Sequence, residues 1–80
     1  MPYVLKDKRN DIDAGLPPET AGELNYKITM ILLDYIKRKG ENYQNYNDCL
    51  GALEGCKLET YRRFISPYED SKIESNGDII

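Results

Sequence analysis

The stretch between the prolines at 17–18 and Gly40 constrains this chain most, because both borders hold residues that interrupt helices. Thr20 and Glu23 have the spacing of a capping box, in which each side chain satisfies a backbone amide of the other. Apolar residues then recur at steps of three and four, which predicts a helix over residues 21–39. Its expected apolar face comprises Leu24, Ile28, Ile31, Leu32, Tyr35 and Ile36.

A second long helix is predicted after a short polar connection, with Asn45 or Asn47 as its cap and Ile65 as its last residue. Such a short connection favours an antiparallel pair of helices. Beyond it, Ser66 and Pro67 match the cap and first position of a new short helix, so a break is expected there. The alternative is a helix that continues through the proline with a kink.

The first 19 residues are predicted to form an arm or a short helix over 6–13, with Leu5 and Ile12 turned inward. Residues 20–80 form the expected helical domain. An EF-hand beginning at Asp11 is excluded, because Leu16 stands where that loop needs glycine. The predicted fold class is therefore all-α, a small helical bundle built on an antiparallel helix pair with short flanking helices.

Composition excludes several classes of function. The 80 residues include no histidine, which removes His-based triads and His-ligated metals, and we expect no catalytic centre, no metal and no cofactor. The net charge of -3 disfavours binding to long nucleic acids or to anionic membranes. No apolar run has the ~20 residues that a membrane span needs. Cys49 and Cys56 lack further metal-ligating partners and are expected to be buried free thiols.

Gly51 and Gly55 stand inside the second predicted helix, where each costs roughly 0.8–1 kcal/mol relative to alanine. With Ala52 and Cys56 they form a strip of small residues, along which another backbone can approach closely. The strip is predicted to be a helix-packing or oligomer interface. Three partners remain open: the first helix of the same chain, a second subunit, or a flat ligand.

Seven tyrosines against one phenylalanine favour a recognition surface, because tyrosine combines a large apolar ring with a polar tip. The second helix ends in a cluster of cations around a tyrosine, which can contact phosphate while a base stacks on the ring. The alternative is ordinary helix-end cations that pair with nearby carboxylates. The residues of the hypothetical ligand site are Tyr26, Lys57, Tyr61, Arg62 and Arg63.

The segment Pro-Tyr-Glu-Asp-Ser-Lys-Ile-Glu-Ser-Asn-Gly-Asp at 67–78 resembles the C-terminal signature of a family of small uncharacterised phage and prophage proteins. The chain departs from that signature at Ser75, Ile79 and Ile80. The resemblance implies a bacterial host cytoplasm but no activity.

Two hypotheses follow from this setting. One is a non-catalytic homo-oligomer that sequesters a host signalling nucleotide, as some phage antidefence proteins do. The other is a protein-interaction module that inhibits or recruits a host or phage protein.

Overall fold

The computed structural model describes residues 4–80, and every regular element in that part of the chain is helical. Helices α1 (Lys6–Asp13) and α2 (Ala21–Lys39) come first, followed by α3 (Tyr43–Thr60) and α4 (Ser66–Asn76). A π-helical segment, Tyr61–Ile65, joins α3 to α4 without interruption. The all-α prediction is confirmed, whereas the antiparallel pairing of the long helices stays a prediction. The chain divides into two units, Met1–Tyr46 and Asn47–Ile80.

The bounds of α2 follow from its caps. The backbone N–H of Glu23 donates to Thr20 Oγ1 at 3.1 Å, and the Glu23 carboxylate accepts from the N–H of Glu19 at 3.2 Å. The capping prediction is confirmed, except that the carboxylate binds one residue earlier than expected. At the other end, Gly40 has φ of 119° and donates to the carbonyl of Ile36 at 2.7 Å. A residue with a side chain rarely adopts that φ, so glycine ends the helix here.

The core of the N-terminal unit consists of Val4, Ile12 and Tyr26, with Met30 packed against it. Ile12 is only 1% exposed, as predicted, but Leu5 is 75% exposed and its predicted burial is wrong. Leu5 has extended backbone angles, in which successive side chains point to opposite sides. Only one residue of the pair at 4–5 can therefore face the core.

The predicted apolar face of α2 is wrong in part, since Leu24 and Ile31 are more than half exposed. The residues by which α2 contributes to the core are instead Tyr26 and Met30, which lie four residues apart. Helix α1 has eight residues and covers only that narrow strip. The Tyr26 hydroxyl donates to the Asp13 carboxylate at 2.9 Å, which joins the end of α1 to α2.

Helix α3 begins earlier than predicted, because Asn42 caps it rather than Asn45 or Asn47. The Asn42 side-chain oxygen accepts from the backbone N–H of Asn45 at 2.9 Å. The Asn45 side chain is buried and donates to the carbonyl of Gly40, also at 2.9 Å. Asn45 therefore holds the turn between α2 and α3.

The predicted break before Pro67 is wrong, and the continuous helix is what the structure shows. Ile65 and Ser66 both have helical backbone angles, and no side-chain cap forms. In a regular α-helix the ring of Pro67 would clash with the carbonyl four residues back. The preceding turn is wider, since the N–H of Ser66 donates to the carbonyl of Tyr61, five residues back. We attribute the π-helical segment to Pro67, because the wider turn lets the helix continue through the proline.

Candidate functional site

The C-terminal unit presents a long helical surface without cover. From Leu50 to Ile80 no residue is buried. Six of the unit's exposed large apolar side chains fall within roughly 120° of one another around the helix axis, because each residue turns the helix by about 100°. We call this set the C-terminal apolar face, and it consists of Leu50, Leu53, Tyr61, Phe64, Ile65 and Tyr68.

The cations of the predicted ligand site all lie beside carboxylates. Arg62 contacts Glu59 at 3.0 Å, and Arg63 pairs with the same carboxylate. Lys57 lies 3.5 Å from Glu54. These pairs are exposed and contribute little to stability, but an incoming phosphate must compete with both carboxylates. The alternative of helix-end cations paired along the helix therefore describes the observed contacts.

Tyr61 is the one ring of the predicted ligand site on the apolar face. Its hydroxyl donates to the carboxylate of Glu69, eight residues on. Residues eight apart in a regular α-helix lie about 80° apart around the axis, and the wider π turn brings these two into line. The hydrogen bond to Glu69 and the negative charge of that group raise the pKa of Tyr61. The hydroxyl thus stays protonated and remains a donor.

Tyr26 has a different role from the other predicted ligand residues. It lies in the N-terminal unit, whereas the other four belong to the C-terminal unit, so neither unit holds the whole set. Burial, followed by the hydrogen bond to Asp13, raises the pKa of Tyr26. Its ring is part of the core and its hydroxyl is engaged with Asp13. The local observations therefore indicate a structural role.

The predicted small-residue interface is exposed in the single chain. A Cβ placed on Gly51 or Gly55 meets no heavy atom within 4 Å outside the helix's own backbone. Each glycine therefore leaves open space beside its own helix. Cys49 is buried as expected, but Cys56 is exposed, so that half of the thiol prediction is wrong.

Sequence reasoning missed a groove between α4 and the residues that follow it. Gly77 has φ of 88° and redirects the chain after α4. The resulting groove has a volume of about 360 Å³, and the ammonium group of Lys72 lies 5.5 Å from the ring centre of Tyr68 on its wall. Asp78 and Glu69 also line the groove. The Asn76-Gly77 turn signal was the available indication in the sequence.

Two kinds of site are not found in the part of the chain that the structure describes. No group of three or more potential ligating side chains is placed to hold a metal ion. None of the helices within residues 4–80 combines the length and apolar character that crossing a membrane requires.

Comparison with known families identifies the chain as a whole. Residues 1–79 match the profile of a family described as a Domain of unknown function (DUF6899). The chain belongs to DUF6899. This confirms the coarser expectation, a family without an assigned function, while the phage setting and the signature remain predictions. No curated protein matches the chain, and no solved structure matches it.

In the C-terminal unit of this DUF6899 chain, Lys57, Arg62 and Arg63 pair with carboxylates along the helix. Large apolar side chains of the same unit are exposed. Exposed apolar surfaces of this kind mark interaction sites in proteins. The C-terminal apolar face is therefore the candidate functional site.

Proposed function

We propose that this protein is a non-catalytic interaction module that binds a protein partner through the C-terminal apolar face. The phage or prophage setting and the bacterial cytoplasm belong to the same proposal. The observation that supports it is the exposure of the face, in which Phe64 is 71% exposed and Leu50 is 64% exposed. Burial of such side chains is the main favourable contribution to protein association.

The chemistry of the face fits a protein surface better than a small anion. Complete burial of one large apolar side chain contributes about 1.5–3 kcal/mol, and the face offers six that are partly or mostly exposed. The face contains exposed tyrosine and phenylalanine, which are enriched in protein interfaces relative to the rest of the surface. The cations beside the face are already paired with Glu54 and Glu59.

A capture experiment tests this function. Tagged wild-type protein is compared in bacterial lysate with a double variant, Phe64→Ser with Tyr68→Ser, and with Leu5→Ser. Leu5 is as exposed as the face residues but lies outside it, so its variant is the matched control. We expect a stoichiometric protein partner, either a lysate protein or a co-expressed untagged copy of this chain, with the wild type and the control and its loss with the double variant. Equal capture by all three would contradict the proposal.

Sequestration of a signalling nucleotide is the second candidate. The observation in its favour is the placement of Lys57 and Arg62 on either side of Tyr61 on one exposed segment, which offers cations and a stacking ring together. Isothermal titration against a panel of cyclic and linear nucleotides tests it. Heat of binding that disappears in Arg62→Gln would favour this candidate, and its absence with folded protein would exclude it.

A further inference from the structure

We infer that the partner of the C-terminal apolar face is the same face of a second copy of this chain, paired in antiparallel orientation. The inference rests on the proposed function, because it names the occupant of the interaction surface proposed there. Three observations carry it: the absence of a core in the C-terminal unit, the match of the face with itself, and its extent.

The C-terminal unit needs constant cover to remain helical. It is one unbroken helical run followed by residues 77–80, and Cys49 is its only buried residue. Most helical stability in proteins comes from packing of an apolar face rather than from propensity, and this run contains Gly51, Gly55 and Pro67, which disfavour a helix in isolation. The cover must therefore be present whenever the protein is folded. A second copy is the partner that is always available at the same concentration.

Four of the six face residues oppose one another when two copies run antiparallel about a point near residue 59, and the other two oppose charged residues. The facing pairs are Leu50 with Tyr68, Leu53 with Ile65, Phe64 with Glu54, and Lys57 with Tyr61. The last pair places an ammonium group against an aromatic ring, which is a favourable contact. A parallel pair would instead bring Lys57 against Lys57 in the middle of the apolar contact, where like charges repel.

The extent of the face is of the order that a specific dimer requires. Tyr61, Phe64 and Tyr68 are 47%, 71% and 61% exposed. An aromatic side chain can bury 150–250 Å², so these three offer about 350 Å² per chain. The aliphatic residues of the face and the polar residues around them bring the area that can be buried closer to the ~800 Å² per partner of a standard interface.

The glycine strip is not the contact in this arrangement. Gly51 follows Leu50 by one residue and so lies about 100° away around the helix. Gly55 precedes Glu59 by four residues and shares the charged side with it. The expected contact of two backbones along the strip is thus replaced by side-chain packing on the apolar face.

Sedimentation measurements over a range of concentrations test the pairing. We expect the wild type to form a dimer, Leu50→Ser to weaken the dimer about tenfold or more, and Leu5→Ser to leave it unchanged. Far-ultraviolet circular dichroism of the wild type on dilution gives a second readout, because helicity should fall as the dimer dissociates. A folded monomer with full helicity at every concentration, or equal dimerisation by Leu50→Ser, would overturn the inference.

Cysteine pairing tests the orientation. In a background with Cys49→Ala and Cys56→Ser, one preparation carries Leu53→Cys and another carries Ile65→Cys. Oxidation of the mixture should give a covalent dimer, while each preparation alone should give little. Covalent dimers formed by each preparation alone, with only same-variant dimers and no mixed dimer of the two variants in the mixture, would show a parallel pair and overturn the antiparallel arrangement. Loss of self-association with retained, face-dependent capture of a lysate protein would refute this inference and leave the proposed function standing.

Discussion

Replacement of Ile12 by alanine tests the account of the N-terminal unit most sharply. Ile12 is 1% exposed and is the most completely buried side chain of the described residues. Truncation of a buried isoleucine to alanine costs about 2–5 kcal/mol, and the value depends on how far the neighbours close the cavity. The neighbours here are Val4, Tyr26 and Met30, of which Met30 is only partly buried and flexible.

We therefore expect a loss of about 3 kcal/mol for Ile12→Ala and about 1 kcal/mol for Ile12→Val. A loss of 3 kcal/mol is a large share of the ~4–12 kcal/mol that a chain of this size retains. Urea unfolding followed by circular dichroism measures both variants. The chain concentration must be held constant, since self-association would add to the apparent stability.

Leu5→Ala is the matched control for this experiment. Leu5 is also a large aliphatic residue of the N-terminal unit, but it is 75% exposed, so we expect a change within ~0.5 kcal/mol. If Ile12→Ala were no more destabilising than Leu5→Ala, the core built on Val4, Ile12 and Tyr26 would not be what stabilises this unit.

Four further predictions follow from local structure. Thr20→Ala should lower the free energy of unfolding by about 1 kcal/mol through loss of the cap, as urea unfolding will show. Gly55→Ala should raise the melting temperature, because it adds about 0.8–1 kcal/mol of helix propensity and its Cβ enters open space; a fall would place a neighbour on the glycine strip. Pro67→Ala should restore regular α-helical hydrogen bonding over the π-helical segment, seen in backbone NMR shifts, and raise stability by up to about 3 kcal/mol. Tyr61 should ionise above its ordinary pKa of 10.0 in an ultraviolet titration, and Glu69→Gln should bring that pKa back down. Since the folded-state pKa is raised, the contribution of neutral Tyr61 to stability is present below pH 10 and is lost as pH rises through the raised value.

The sequence predicted those elements whose bounds depend on local chemistry. Thr20 and Gly40 determine the ends of α2 through bonds within a few residues of each end, and such bonds are readable from spacing alone. The N-terminal segment was predicted as an arm or a short helix over residues 6–13, and the helix with that range is what the structure shows, although no side-chain cap forms at its start. Local signals failed where two or more of them competed: Asn42 caps α3 instead of Asn45 or Asn47, and the helix continues through Pro67 by widening the turn before it.

The sequence predicted which residues are buried less well than it predicted where the helices lie. Periodicity shows that a helix has an apolar side, but not which element covers it. The short helix α1 packs against Tyr26 and Met30 of α2 and leaves Leu24 exposed. Which residues of α2 are buried therefore depends on the length of α1 rather than on the apolar pattern in α2. The same holds for the candidate site. The sequence predicted Tyr61 as a ligand residue, but only the structure shows that Phe64 is exposed.

The most direct test of the central claim is the light-scattering mass of the wild-type protein, measured over a hundredfold dilution series of about millimolar to about ten micromolar. If the C-terminal apolar face pairs with itself, the mass should equal twice the chain mass of 9.2 kDa at the upper concentrations and fall together with helicity on dilution. A constant 9.2 kDa with undiminished helicity would contradict the claim.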